Sequence, residues 1–251
     1  MTEAPLHWTM LPKHTGKQNV PTHIGMVGVG SIGTALCYRQ LFRLASETLA
    51  PNQHPELSIH NLPLAGYLDA VHRNDWHTVA SMLRRSSDLL ASIGAELCFT
   101  PDNMVQHALP MVMHSSRVPW VNMAEVVSAA VASSGHQRVA IIGTPIVTSG
   151  STYQTHLGVR GVRVYRPSAE DADRIGRIVL SELANGFLSD RSHAELTEIV
   201  SRMRDDGCDA VLFGTSEAPL LTERGGWSLP TFDSCEIVAA EALRLATQSR
   251  D

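Results

Sequence analysis

The sequence lacks the features that would point to a membrane, a nucleic acid or a secretory route. No apolar run approaches the roughly 18 residues that a membrane-spanning helix needs. The 20 lysines and arginines and 25 aspartates and glutamates give a formal net charge of −5 without a basic stripe, so we expect no nucleic-acid partner. Residues 1–20 contain no basic segment followed by an apolar one, so we expect no signal peptide and interpret them as a mobile leader.

The cysteines and histidines show no pairing or metal-binding pattern. Cys37, Cys98, Cys208 and Cys235 are far apart and form no C-x-x-C motif, which favours a reducing, cytoplasmic location. The 12 histidines include no H-E-x-x-H or comparable ligand spacing. We therefore expect no metal site.

Strand-like and helix-like segments alternate along the chain. The apolar, β-branched runs that predict strands are at 23–30, 56–62, 95–100, 118–123, 138–144, 162–167 and 209–215. Apolar residues recur at helical spacing in the segments between them, at 32–49, 74–93, 123–134, 168–186 and 192–206. This alternation predicts an α/β fold with parallel sheets, and the length suits one large domain or two smaller ones.

Two strand–turn–helix patterns occur twice, in the same order and at nearly the same offset. The segment 23–40 is similar to 138–155, and 92–103 is similar to 205–216. The simpler alternative is that any two βα units look alike, but the repetition favours a duplicated unit.

The repeat predicts where a ligand binds. Open α/β units bind ligands at the carboxyl ends of their strands. If two such units face each other, the loops at 28–34, 100–104, 143–149 and 214–217 converge on one cleft.

Gly28-Val-Gly30-Ser-Ile-Gly33 is a literal G-x-G-x-x-G after a predicted strand, which raises the hypothesis of a dinucleotide site. Such a site also needs an acidic residue at the end of the second strand, about 20 residues further on. That strand ends near His60-Asn61 without a carboxylate, so dinucleotide binding is disfavoured. The start of a helix after a glycine turn attracts any anion, including a carboxylate.

Several ordered motifs from about residue 22 onward resemble the aspartate/glutamate racemase superfamily. The segment 28–38 fits the family's loop G-M-G-P-E-A-T-x-x-x-Y without a gap. Residues 101–104 match its first catalytic motif, P-C-N-T, and 214–221 match its second, G-C-T-E-x-P-L-L. Residues 118–127 match the family's interdomain strand.

The resemblance implies two pseudo-symmetric Rossmann-like (flavodoxin-like) domains, each a parallel sheet flanked by helices, with the active site in the cleft between them. We expect the first domain to comprise 21–118 and 229–251, and the second 119–228. The resemblance also implies a homodimer, a small carboxylate or amino-acid substrate, and no cofactor.

The departures from the family concern its catalytic pair. The racemases use one cysteine on each side of the substrate α-carbon, and here Asp102 and Thr215 occupy those positions. Asn122 replaces the histidine of the interdomain strand. The positions expected to bind substrate or line its pocket are Gly30, Ser31, Asn61, Asn103, Met104, Thr144, Thr148, Ser149, Ser216 and Glu217.

The altered pair is chemically asymmetric. An aspartate has a reference pKa near 3.9 and is an effective base at neutral pH only where its surroundings raise that value. The Thr215 hydroxyl can donate a hydrogen bond to developing negative charge but does not titrate usefully. We predict a racemase or epimerase with Asp102 as the base. A lyase and a non-catalytic metabolite-binding relative remain open, as does the alternative that Asp102 only caps a helix.

Overall fold

The computed structural model describes residues 22–248. The predicted leader, 1–20, lies outside the described residues. The strands, in chain order, are β1 Ile24–Gly28, β2 Leu57–Asn61, β3 Leu97–Phe99, β4 Arg138–Ile142, β5 Arg163–Val164, β6 Ala210–Phe213 and β7 Thr231–Asp233.

The helices surround these strands. In chain order they are α1 Ser31–Thr48, α2 Leu64–His72, α3 Trp76–Ser92, α4 Leu109–Met113, α5 Met123–Ser133, α6 Pro145–Thr148, α7 Ser151–Gly158, α8 Ala169–Ser181, α9 Asp190–Asp205, α10 Ala218–Arg224 and α11 Ser234–Thr247. Short 3-10 helices occupy Met104–Ala108 and Leu183–Asn185. No helix in the described part of the chain is long and apolar enough to cross a bilayer.

The strands form two parallel sheets, which confirms the predicted α/β fold. The first has the order β2-β1-β3 and the second the order β5-β4-β6-β7. Strands β1, β3 and β6 are buried along their whole length, and β4 is buried except at its first residue. Continuous apolar strands of this kind fit sheets that helices cover on both faces.

The prediction of a strand at 118–123 is wrong. The segment makes one bridge, between Trp120 and Cys98, through a hydrogen bond on each side of that residue. Pro119 has no N–H to extend the ladder, and Asn122 ends the segment by accepting the N–H of Glu125 at the start of α5.

The last part of the chain, β7 and α11, contacts elements of both units. Strand β7 pairs with β6 in the second sheet, while α11 packs mainly against α1 and α5. This segment thus joins the two units, and the predicted division into 21–118 with 229–251 and 119–228 stays a prediction. The sequence patterns did not predict β7 or α11.

Candidate functional site

One cavity lies where the carboxyl ends of the strands of both sheets meet. All four loops that the repeat singled out contribute to its lining, as predicted. The predicted site residues that line it are Gly30, Ser31, Asp102, Asn103, Met104, Thr144, Thr215, Ser216 and Glu217. Asn61, Thr148 and Ser149 do not line it.

Asp102 is buried at the end of β3 and uses its two carboxylate oxygens differently. Its Oδ1 accepts the backbone N–H groups of Met104 at 2.9 Å and Val105 at 3.2 Å. These bonds fix the side chain and cap the short 3-10 helix that follows. Oδ2 has no hydrogen-bond partner among the described residues, so one oxygen of a held carboxyl group is available to a ligand. The capping role and a chemical role are therefore compatible.

The surroundings of Asp102 suit a base at neutral pH. Burial, followed by the negative charge of Glu217, raises the pKa of Asp102 to about 7, against the opposing effect of the two N–H donors. General-base catalysis is most effective when the pKa lies near the working pH. An aspartate acts as an effective base at neutral pH only if its pKa is raised, and the fold raises the pKa of Asp102.

Across the cavity, Thr215 and Ser216 both donate to the buried carboxylate of Glu217. Thr215 Oγ1 donates to Glu217 Oε2 at 2.5 Å, and Ser216 Oγ donates to Oε1 at 3.0 Å. Since a hydroxyl has one proton, the proton of Thr215 is directed at Glu217 in this arrangement rather than at the cavity. The three residues act as one hydrogen-bonded group.

Asn103 connects the two units rather than standing free in the cavity. Its Oδ1 accepts from Tyr153 Oη at 2.5 Å, and its Nδ2 donates to Ser234 Oγ at 3.0 Å. Ser234 in turn donates to the carbonyl of Phe213 at 2.7 Å. The network holds the loop after β3 against the end of β6. Sequence reasoning missed Tyr153 and Ser234 as the partners that hold Asn103.

Two of the three glycines of the G-x-G-x-x-G segment, Gly28 and Gly33, serve close packing. A Cβ at Gly28 would lie 2.1 Å from Asn61 Oδ1. A Cβ at Gly33 would lie 2.2 Å from Ser216 Oγ and 2.8 Å from Glu217 Oε1. The first turn of α1 therefore touches the hydrogen-bonded group of the other unit because position 33 has no side chain.

Two of the three predicted site residues outside the cavity, Asn61 and Thr148, make structural hydrogen bonds. Asn61 accepts from Thr34 Oγ1 at 3.1 Å and donates to the carbonyls of Val29 and Leu62 at 3.3 Å and 2.8 Å. It therefore holds the loop between β1 and α1. Thr148 bonds to carbonyls of its own helix, and Ser149 is exposed.

Two features of the cavity offer hydrogen bonds to an anion. Gly30 provides no side-chain cap for α1, and the first turn of that helix has no acidic residue. Its N–H groups therefore remain available, with the positive end of the helix dipole. Thr144 Oγ1 is buried and has no partner among the described residues. No three His, Cys, Asp or Glu side chains within residues 22–248 are grouped to hold a metal ion.

Two parallel-sheet units with a cavity between them define a two-domain α/β protein with a cleft site. The model of the Asp/Glu/Hydantoin racemase family matches residues 24–242, and the chain belongs to this family.

Solved structures confirm the fold. An aspartate racemase homologue from Pyrococcus horikoshii is 24% identical, with a TM-score of 0.77 over 90% of this chain and 100% of that chain. The aspartate racemase of Picrophilus torridus is 19% identical, with a TM-score of 0.76 over 90% and 94%. A single-substitution variant of arylmalonate decarboxylase, in a sulfate-associated form, is 15% identical, with a TM-score of 0.56 over 89% and 93%.

Proposed function

We propose that the protein is a racemase- or epimerase-type enzyme that moves a proton at the α-carbon of an amino acid or small carboxylic acid, with Asp102 as the base. The observation that carries this proposal is the buried Asp102 carboxyl group, with its pKa raised to about 7 and its Oδ2 unpartnered among the described residues. Family membership supports the same class of chemistry.

The proposed reaction starts with the substrate carboxylate at the first turn of α1, where Gly30 leaves N–H groups unpaired and Thr144 Oγ1 adds a donor. Asp102 Oδ2 then takes the α-proton, and the two electrons of that C–H bond remain on the substrate as a carbanion. Charge that spreads onto the substrate carboxylate is met by donors already in position. Water then returns a proton to the α-carbon, and Asp102 releases the proton that it took to solvent. Thr215 takes the donor role only if its hydroxyl turns from Glu217 to the substrate and regains its proton from water.

No step of this scheme requires a cofactor, and we include cofactor independence in the proposal. A cytoplasmic location, which the separated cysteines favour, and a homodimer, which the family resemblance implies, also belong to the proposal.

A lyase is the second candidate, and the asymmetry of the pair favours it. Asp102 has a free carboxylate oxygen, whereas the proton of Thr215 is directed at Glu217. One-sided protonation fits decarboxylation, in which the carbanion left by loss of carbon dioxide takes a proton from Asp102. The likeness to arylmalonate decarboxylase is in keeping with this candidate.

The test incubates the protein with a panel of amino acids and small carboxylic acids in heavy water. Deuterium at the α-carbon is measured by NMR, the enantiomers by chiral chromatography, and released carbon dioxide in parallel. We expect deuterium to enter recovered substrate. Irreversible product without deuterium in recovered substrate would support the lyase, and no reaction across the panel would contradict both.

A further inference from the structure

The side chains that line the cavity indicate which class of substrate it binds. Beside the polar loops, the cavity is lined by aliphatic side chains from helices of both units. Those from α2 are Leu64 and Leu68, and those from α8 are Val179 and Leu180. Ala184, in the following 3-10 helix, extends this surface, which we call the aliphatic wall.

The charges around the cavity all have one sign. Among the described residues that line it, none is lysine, arginine or histidine, while Asp102 and Glu217 are both carboxyl groups. Both are buried, and the charge of Glu217 already raises the pKa of Asp102. A further carboxylate on the substrate side chain would find no cation here and would be repelled by the two existing groups.

The cavity provides for one carboxylate. The available N–H groups are at the first turn of α1, and the unpartnered hydroxyl is that of Thr144. The proposed function places the α-carbon of such a substrate at Asp102, so the rest of the molecule lies against other surfaces of the same cavity. The aliphatic wall is one of these surfaces.

We propose that the substrate is a monocarboxylic acid, such as an amino acid, whose α-substituent is apolar and uncharged. The inference rests on the proposed function and names its substrate class. The aliphatic wall removes the substituent from water, and the absence of a cation among the described lining residues selects against dicarboxylic acids. Leu68, which is half-buried, is a residue that determines this specificity.

The test compares norvaline with glutamate, because their side chains have similar length but glutamate ends in a carboxylate. Binding is measured by thermal shift and calorimetry with the wild-type protein, for both enantiomers. We expect norvaline to bind at least about tenfold more tightly than glutamate. Along the series alanine, 2-aminobutyrate and norvaline, affinity rises by up to about fourfold for each added methylene.

A pair of variants tests the wall itself. L68R places a cation at the aliphatic wall and is expected to reduce or reverse the preference for norvaline. L89R is the matched control, because Leu89 is an exposed leucine on α3 that does not line the cavity. The control is expected to keep the wild-type ratio.

Three results would overturn the inference: glutamate binding as tightly as norvaline, binding of neither, or an unchanged ratio in L68R. The readouts also separate it from the proposed function. Exchange of the α-proton of glutamate but not of norvaline keeps the proposed function and refutes the substrate class. Tight binding of norvaline without α-proton exchange in any ligand keeps the class and refutes the function.

Discussion

Replacing Asp102 with asparagine separates the chemical role of this side chain from its structural role. The asparagine oxygen can still accept the N–H groups of Met104 and Val105, so the cap on the 3-10 helix is kept. The group that takes the proton is lost. We expect α-proton exchange to fall by about 100-fold or more, as is typical for removal of a general base.

The same substitution has a defined effect on stability. The folded protein raises the pKa of Asp102 from 3.8 to about 7, so between these values it holds a proton that the unfolded chain has released. The free energy of unfolding of the wild type therefore falls as pH rises through this window. At about 1.4 kcal/mol for each pKa unit, the loss from pH 5 to pH 8 amounts to about 2–3 kcal/mol.

Urea unfolding of wild type and D102N at pH 5 and pH 8 measures this effect. The pKa of Asp233 is raised to about 6, mainly by burial, and this group titrates in both proteins. Subtracting one pH-dependent change from the other removes its contribution. We expect the variant to lose less stability than the wild type between the two pH values. An equal loss in both proteins would refute a raised pKa at Asp102.

Three further substitutions test the surroundings of the base. G33A is expected to lower stability by about 1–3 kcal/mol and to slow exchange, because its Cβ would lie 2.2 Å from a serine hydroxyl. The control is G158A, whose added Cβ would meet no atom within 4 Å outside the backbone of its own helix. If G33A had the stability and the exchange rate of the wild type, the close packing at position 33 would be contradicted. E217Q removes a negative charge that raises the pKa of Asp102, so the acid limb of the pH–rate profile is expected to move to lower pH; an unmoved limb would argue against that coupling. Y153F leaves a buried amide oxygen unpaired and is expected to cost about 1–3 kcal/mol in urea unfolding, whereas a change within error would show the bond to be dispensable.

Every described strand except β7 followed from local patterns, because a strand of a parallel sheet is an apolar, β-branched run. Glycines end or directly follow three of these strands, β1, β4 and β6. The repeat located the four loops of the cavity for the same reason. The segment 118–123 has the composition of a strand, but composition does not show that Pro119 leaves a single bridge. The contacts of α11 with α1 and α5 lie far apart in sequence, and no local pattern encodes them.

Within the site, the resemblance to the family's two motifs predicted that Asp102 and Thr215 lie at the cavity, but not how each side chain is held. The raised pKa of Asp102 depends on burial and on Glu217, which belongs to the other unit. The resemblance predicts that Asn103 binds substrate or lines its pocket, and in the structure both ends of its amide group bond to side chains that are distant in sequence. Such contacts arise only when the two units pack together. A sequence pattern can therefore predict which residues come close to one another, but not the hydrogen bonds that they form.

The pH dependence of α-deuterium incorporation, measured on one substrate with wild type and D102N, tests the role of Asp102 most directly. We expect the wild-type rate to rise with pH through one ionisation near pH 7, because the base must lose its proton before it can act. D102N is expected to show neither this limb nor a comparable rate. Exchange by D102N at the wild-type rate, with the same pH dependence, would contradict the assignment of Asp102 as the base.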